Sequence, residues 1–336
     1  MKRWAALILI SMLIVVLFSP TSFAHVPVES GENNKLEHAL NIDDPLKSWA
    51  IYDELDCICA VRYYKFDLNS GDRLRVSIFT PEEGGFAPNL VIMSPGKIQN
   101  ATLPYFVEIP DNYSIRLILG SRPDKPDYEP FTPSSHYRII DVDETVNITG
   151  TYYLAVFDPD ASGKFGIAIG YSESFTLEEW VLVPFDVVNI HLWEGQDLGT
   201  ILLPIIIILI LGLELILWRR FKQNKAPKNI NGIIGSLGAL TFIGTGAMLA
   251  YQMILSLSKA PDGGAGAIVT LIFVLIPILL GLLILKYWLD DKKAINKFDR
   301  LKLIAFGLIG IFLWAGYFVG PVLVIVSGIL TKKNDD

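Results

Sequence analysis

His25, the pair Cys57 and Cys59, and the pair Asp158 and Asp160 are the residues whose types and spacing could hold a metal or exchange electrons. If the chain is cut after Ala24, His25 becomes an N-terminal residue that offers copper an amine and an imidazole nitrogen together. Such a chelate needs one more His or a carboxylate, and His38, His136 and His191 are available. Asp158, Asp160, Ser162 and Gly163 are spaced like the start of a calcium loop. The place where such a loop needs a bidentate Glu is Ile169, however, and Lys164 sets a positive charge beside the ligands. The metal candidates are therefore His25, His38, His136, Asp158 and Asp160, and no resident cofactor is expected.

Cys57 and Cys59 stand in "DELDCICAVRYYKF". On an extended segment their Cα atoms lie roughly 6.5 to 7 Å apart on one face, at or beyond the usual reach of a disulfide. A buried or locally bridged pair, thiol–disulfide exchange and a soft-metal site stay open as readings. Glu214 is the one acid deep in an apolar run, and intramembrane acids carry function by default. It also lies close enough to Arg219 and Arg220 to pair with them or reach water. Enzyme signatures are absent: there is no His-Glu-x-x-His pair, no Gly-x-Ser-x-Gly elbow, no phosphate loop and no Rossmann glycine pattern.

These residues need elements to hold them, and hydropathy divides the chain. The 336 residues, 51% of them hydrophobic, begin with Lys2 and Arg3, an apolar stretch from Ala5 to Phe18, and Ser22-Phe23-Ala24. That pattern predicts a signal peptide over 1–24. Four later segments are long enough to cross a bilayer: Leu198 to Trp218, Ile230 to Leu257, Ala265 to Leu289 and Leu301 to Leu330. Basic residues crowd the connections after the first and third of them, which sets those ends in the cytoplasm. The expected protein is a multi-pass plasma-membrane protein with its N-terminal domain and its C-terminal tail, TKKNDD, both extracytoplasmic.

Charge divides in the same way. His25 to Asp197 holds 28 acidic and 12 basic residues, net −16, whereas the part from Leu198 onward carries net +7. So acidic an exterior excludes nucleic acid as a natural partner. Asn100, Asn112 and Asn147 each open a glycosylation-type triplet within this acidic part, which makes a glycoprotein the expectation.

Within it, short apolar alternations are separated by Pro, Gly, Asn and Asp clusters. "YYKFDLNSGDRLRVSIF" reads as a β-hairpin with one wet face, and "GTYYLAVFDPDASGKFGIAIGY" reads as a closing hairpin around an Asp-Pro and Ser-Gly turn. Further strands are expected at "NLVIMSP", "YSIRLIL" and "SHYRIIDV". Several strands at this spacing predict an all-β sandwich of jelly-roll type.

The combination of "YYKFDLNSGDRLRVSI", "PNLVIMSPG" and "TGTYYLAVFDPDASGKFGIAIGY" resembles the bacterial pre-peptidase C-terminal (PPC) domain, over residues 60–171. The resemblance implies a small extracytoplasmic β-sandwich with a binding or spacer role and brings no catalytic residue with it. The expected organisation is a signal peptide (1–24), an acidic extended lead (25–59), the PPC-like sandwich (60–171), an aromatic strap at the membrane interface (172–197) and a four-helix transmembrane domain (198–336). The expected function is a membrane-anchored binding module without catalysis, for a protein or glycan partner or as an assembly subunit. Copper or redox handling through His25, and a transporter or its accessory subunit, are the alternatives.

Overall fold

The computed structural model describes residues 26–81, 84–96, 102–223, 230–289 and 295–330. The predicted signal peptide, His25, Asn100 and the tail after Leu330 lie outside them.

The N-terminal half forms two sheets. The strands are β1 (Val26–Glu29), β2 (Leu40–Asn41), β3 (Trp49–Leu55), β4 (Val61–Leu68), β5 (Arg73–Thr80), β6 (Asn89–Pro95), β7 (Tyr113–Ile118), β8 (Asp127–Glu129), β9 (Ser134–Thr145), β10 (Gly150–Phe157) and β11 (Gly163–Ile169). One sheet runs β1-β3-β11-β5-β9-β8 and the other β2-β4-β10-β6-β7. Apolar positions at period two on each strand feed one core: Ile51, Val76, Ile78, Phe165 and Ile167 come from the first sheet, Tyr64, Phe66, Leu90, Leu154 and Val156 from the second. The far face of the second sheet is also covered, by a smaller cluster in which Leu36, Leu103 and Val107 roof Tyr63, Met93 and Phe157.

Two expected hairpins are not hairpins. β4 and β5 belong to different sheets, and so do β10 and β11. Alternation of apolar residues says that a strand has one buried face, but it does not say whether the next strand lies beside it or across the core from it. The segment 25–59 is likewise no simple lead: β3 is an inner strand of the first sheet, paired with β1 in parallel and β11 antiparallel, and its Ile51 and Leu55 are fully buried.

The C-terminal half is helical. Helix α1 (Leu177–Trp193) leads to α2 (Leu198–Lys222), α3 (Ile230–Lys259) and α4 (Gly264–Leu289), and these last three are long and apolar enough to cross a membrane. Helix α3 is the hub, and its small residues explain why. A methyl group on Gly246 would meet the Val274 carbonyl at 2.7 Å, and one on Gly244 would sit 3.1 Å from the Ile205 backbone. Helix α2, by contrast, presents Ile206, Ile210, Leu211 and Leu215 outward, a surface suited to lipid.

The expected single span from Leu301 to Leu330 is instead two helices, α5 (Lys297–Phe312) and α6 (Val319–Leu330). Between them the backbone turns through positive φ at Trp314, Gly316, Tyr317 and Phe318. Helix α6 folds back on α5, so that Arg300 donates to the carbonyls of Gly328 and Ile329, while the Asn231 amide donates to the Leu330 carbonyl at 2.9 Å. Asn231 opens α3, whereas Ser256 near its other end donates to Pro133 of the β region. Leu330 therefore ends about 38 Å of helix away from the sheets. The reading that returned the tail to the side of the β region rested on a single crossing, and this fold-back removes its basis.

Candidate functional site

The outer face of the first sheet is built to receive a helix. Where β11 faces outward it carries Lys164 near its start and then only Gly166 and Ala168, so its second half leaves room for large neighbours. The Phe79 ring lies over Gly166, where even a Cβ would come within 2.1 Å of it. At the end of β11, Gly170 takes φ +84° and packs against the Lys47 carbonyl, a place no side chain can occupy.

Helix α1 crosses this face. Thr176 and Glu179 form a capping box at its start, and Glu179 also pairs with Lys47 Nζ at 2.6 Å. At its end, the Trp193 indole sits among Tyr52, Phe79 and His136, with ring centroids 4.9, 6.1 and 5.9 Å away, and donates to the Asp53 carbonyl. In mid-helix Pro184 has no N–H to give the carbonyl of Trp180. The Trp314 indole, from the turn between α5 and α6, supplies the missing donor at 2.7 Å.

The β region is tied to the tops of α3 and α4 as well. Tyr128 donates to Thr270 Oγ1 at 2.7 Å, Thr270 donates to the Pro130 carbonyl at 2.7 Å, and Lys125 approaches Asp262 at 3.4 Å.

These elements enclose a cavity of about 270 Å³. Aromatic rings dominate its wall: Tyr52 and Phe79 from the sheet, Trp180 from α1, Phe273 from α4, and Trp314 and Tyr317 from the α5–α6 turn. Two carboxyl groups, Glu129 and Asp186, and the imidazole of His136 are the ionisable polar groups among these aromatics, apart from the tyrosine hydroxyls. Burial raises Glu129 to about 7 even though it accepts from the Phe131 amide and lies near His136 and Arg138. It lines the cavity and keeps part of its surface accessible. Burial alone raises Asp186 to about 6, and no hydrogen bond or ion pair to it is seen among the described residues. The Tyr52 phenol is pushed up by burial and then by the negative charge of Glu129, Glu194 and Asp186.

Beside the cavity lies a polar knot. Glu194, just after α1, accepts from His136 Nε2 and His191 Nδ1, each at 2.8 Å. Burial alone would raise the Glu194 pKa, but the bonds and charge of the two imidazoles outweigh it and bring it down to about 2. Gln196 and Gln252 exchange amide hydrogen bonds of 2.9 and 2.8 Å next to it, with Gln252 wholly buried.

Of the metal candidates among the described residues, His136 alone reaches this site. His38 is exposed beside Glu37, in the short helical turn that carries Leu36 of the roof over the other sheet. Asp158 is buried in the β10–β11 connection, where its Oδ1 accepts from the amides of Asp160 and Ala161, so it closes a turn. Among the described residues no three His, Cys, Asp or Glu side chains are grouped to hold a metal ion. Cys57 and Cys59 are both exposed in a turn closed by Ala60 N donating to Cys57 O, and their sulfurs stand 2.9 Å apart. Asn112 and Asn147 are exposed, and Glu214 is exposed on α2. The sequence analysis bounded the strap and named His191 but did not single out Tyr52, Phe79 or Glu129. The outward Gly166-x-Ala168 of β11 was the available signal, since outward positions that carry no more than a methyl group leave room for something to cover them.

No protein-family model matches the chain, and no curated protein is detectably similar to it.

Proposed function

We propose that this chain is a membrane-anchored binding protein whose ligand seats between its β region and its helices. In this reading the two sheets are a β-sandwich of the PPC-like kind, held outside the plasma membrane by the helical half. The protein works by occupancy, without turning its ligand over, and a protein or glycan partner at the outer face reads the occupied state. One observation carries the proposal: the cavity wall is shared by the outer face of the first sheet, α1, α3, α4 and the α5–α6 turn, so that neither half of the chain forms it alone. A pocket that is mostly apolar, with a few converging polar groups, at the junction of two structural units is where small ligands bind most often.

The test uses the full chain purified from native membranes and examined by native mass spectrometry, beside the variant Ser77→Trp, whose indole would fill the cavity from the sheet. A small molecule retained by the parent and missing from a folded Ser77→Trp supports the proposal. A parent that carries no small molecule and gains thermal stability from none in a broad ligand screen overturns it.

A further inference from the structure

We propose that the ligand of this cavity is an amphiphile bearing an alkylammonium group, held with its cationic head between the carboxyls of Glu129 and Asp186 and the indoles of Trp180 and Trp314, and its apolar body against Phe79 and Phe273. The inference rests on the binding function proposed above and names the chemistry of its ligand.

Three features of the wall lead to it. First, an apolar wall gains nothing from carboxyl groups, and burying one without a partner is costly. Asp186 nonetheless faces this cavity with no ion-pair partner among the described residues, and no Lys or Arg lines the wall. His136, the one basic side chain of the wall, already has its Nε2 committed to Glu194. What Asp186 lacks is a cation, and a ligand can bring it.

Second, indole and phenol rings are the surfaces that receive ammonium groups best, because the negative face of each ring attracts a cation that has shed its water. Trp180 and Trp314 lie 4.2 Å apart, centroid to centroid, and both border the cavity. An anionic ligand would meet these faces and both carboxyls with the wrong sign.

Third, size limits the ligand. A cavity of about 150 Å³ accommodates benzene, so 270 Å³ admits a body of roughly ten to twelve heavy atoms. The head of an ammonium-bearing lipid and a free amine of that size satisfy the same chemistry.

The charged surroundings set the pH behaviour. Around Glu129 stand His136 and Arg138 of β9 and Glu173 before α1, and around Tyr52 stand Glu129, Glu194 and Asp186. The parts of α3 and α4 that border the cavity contribute Thr245, Met248, Leu249, Thr270 and Phe273, with no titratable group. A cation therefore binds more tightly once both wall carboxyls are ionised, with affinity rising on the order of tenfold between pH 5 and pH 8.

The experiment measures binding of benzyltrimethylammonium to the full chain in detergent by calorimetry, beside its neutral isostere neopentylbenzene. Expected are saturable binding of the cation, at least tenfold weaker binding of the isostere, and at least tenfold loss of cation binding in Asp186→Asn and in Glu129→Gln. Equal binding of the two probes, or carboxyl variants that bind the cation as the parent does, overturns the inference while leaving a binding cavity. Failure of both probes, together with an empty parent in the native spectrum, overturns the binding function itself. Reconstitution in phosphatidylcholine against phosphatidylglycerol vesicles then identifies the source: competition by the first alone assigns a lipid head, and equal cation binding in both assigns a free amine.

Discussion

The carbonyl of Trp180 is released from its own helix by Pro184 and captured by the indole of Trp314 at 2.7 Å. A break in one helix is thereby repaired from a turn 134 residues further along the chain. The pair also fixes two rings of the cavity wall against one another.

Trp314→Phe keeps a ring but removes the donor, leaving a buried carbonyl unpaired at a cost of about 1 to 3 kcal/mol. Pro184→Ala returns an amide N–H to the same carbonyl. In thermal unfolding of the full chain, the loss caused by Trp314→Phe is expected to be smaller in the Pro184→Ala background. Additive losses in that double-mutant cycle would mean that the proline and the indole do not serve the same carbonyl.

Glu194→Gln removes the charge at the centre of the His136–Glu194–His191 knot. The Glu194 pKa is lowered to about 2 from an ordinary 4.5, so its contribution is fully present above pH 4.5 and fades as pH falls toward 2. The parent should exceed the variant by about 3 kcal/mol near neutral pH, with the gap closing in acid. Unfolding midpoints of the two proteins followed from pH 7 down to pH 3 check this, and a gap that stays constant with pH refutes it.

Glu129→Gln is expected to act with the opposite sign. Because burial raises this carboxyl to about 7, its contribution is present below pH 4.5 and is lost as pH rises through 7. Without ligand, the Gln variant should gain on the parent between pH 4.5 and pH 7, by on the order of 3 kcal/mol, and hold that gain above pH 7. A pH series of unfolding midpoints reads the slope directly.

Cys57 and Cys59 should close into an intramolecular disulfide under mild oxidation. Their sulfurs already stand 2.9 Å apart on an exposed turn. The hydrogen bond from Cys59 lowers the Cys57 thiol and raises that of Cys59, so in the reduced protein Cys57 should be the first to alkylate. Peptide mass spectrometry after timed iodoacetamide labelling distinguishes the two sites, and equal labelling rates would count against the assigned order.

Much of the fold could be read from patterns. Strands β4 to β7 and β9 to β11 fall where alternating apolar runs predicted them, and the three membrane-length helices fall on the three longest apolar stretches before Leu301. Pairing could not be read, because whether Asn69-Ser70-Gly71-Asp72 turns a strand beside its neighbour or across the core depends on contacts far away in the chain. Trp49–Leu55 was missed as a strand because Asp53 and Glu54 make it look like part of the acidic lead. In the fold, Asp53 is neutralised by Arg62 and bonded by Asn33 and Tyr64. Leu301 to Leu330 looked like one span because the helix break is made from Trp314, Gly316, Tyr317 and Phe318 in unusual backbone conformations, which hydropathy counts as continuous. The cavity was legible only in part. The strap residues stood out by composition, while Glu129 and Tyr52 gain their meaning from what the fold sets opposite them.

The fold-back of α5 and α6 has a mechanical side. Its feet are bound, Arg300 to Gly328 and Ile329 and Asn231 to Leu330, while its tip carries Trp314 and Tyr317 into the cavity wall. That tip is fastened as well, by the Trp314 indole on the Trp180 carbonyl and by Gly316 N donating to Thr245 Oγ1 at 2.8 Å, so the fold-back is a strut held at both ends and joins α1 to α3 across the cavity wall.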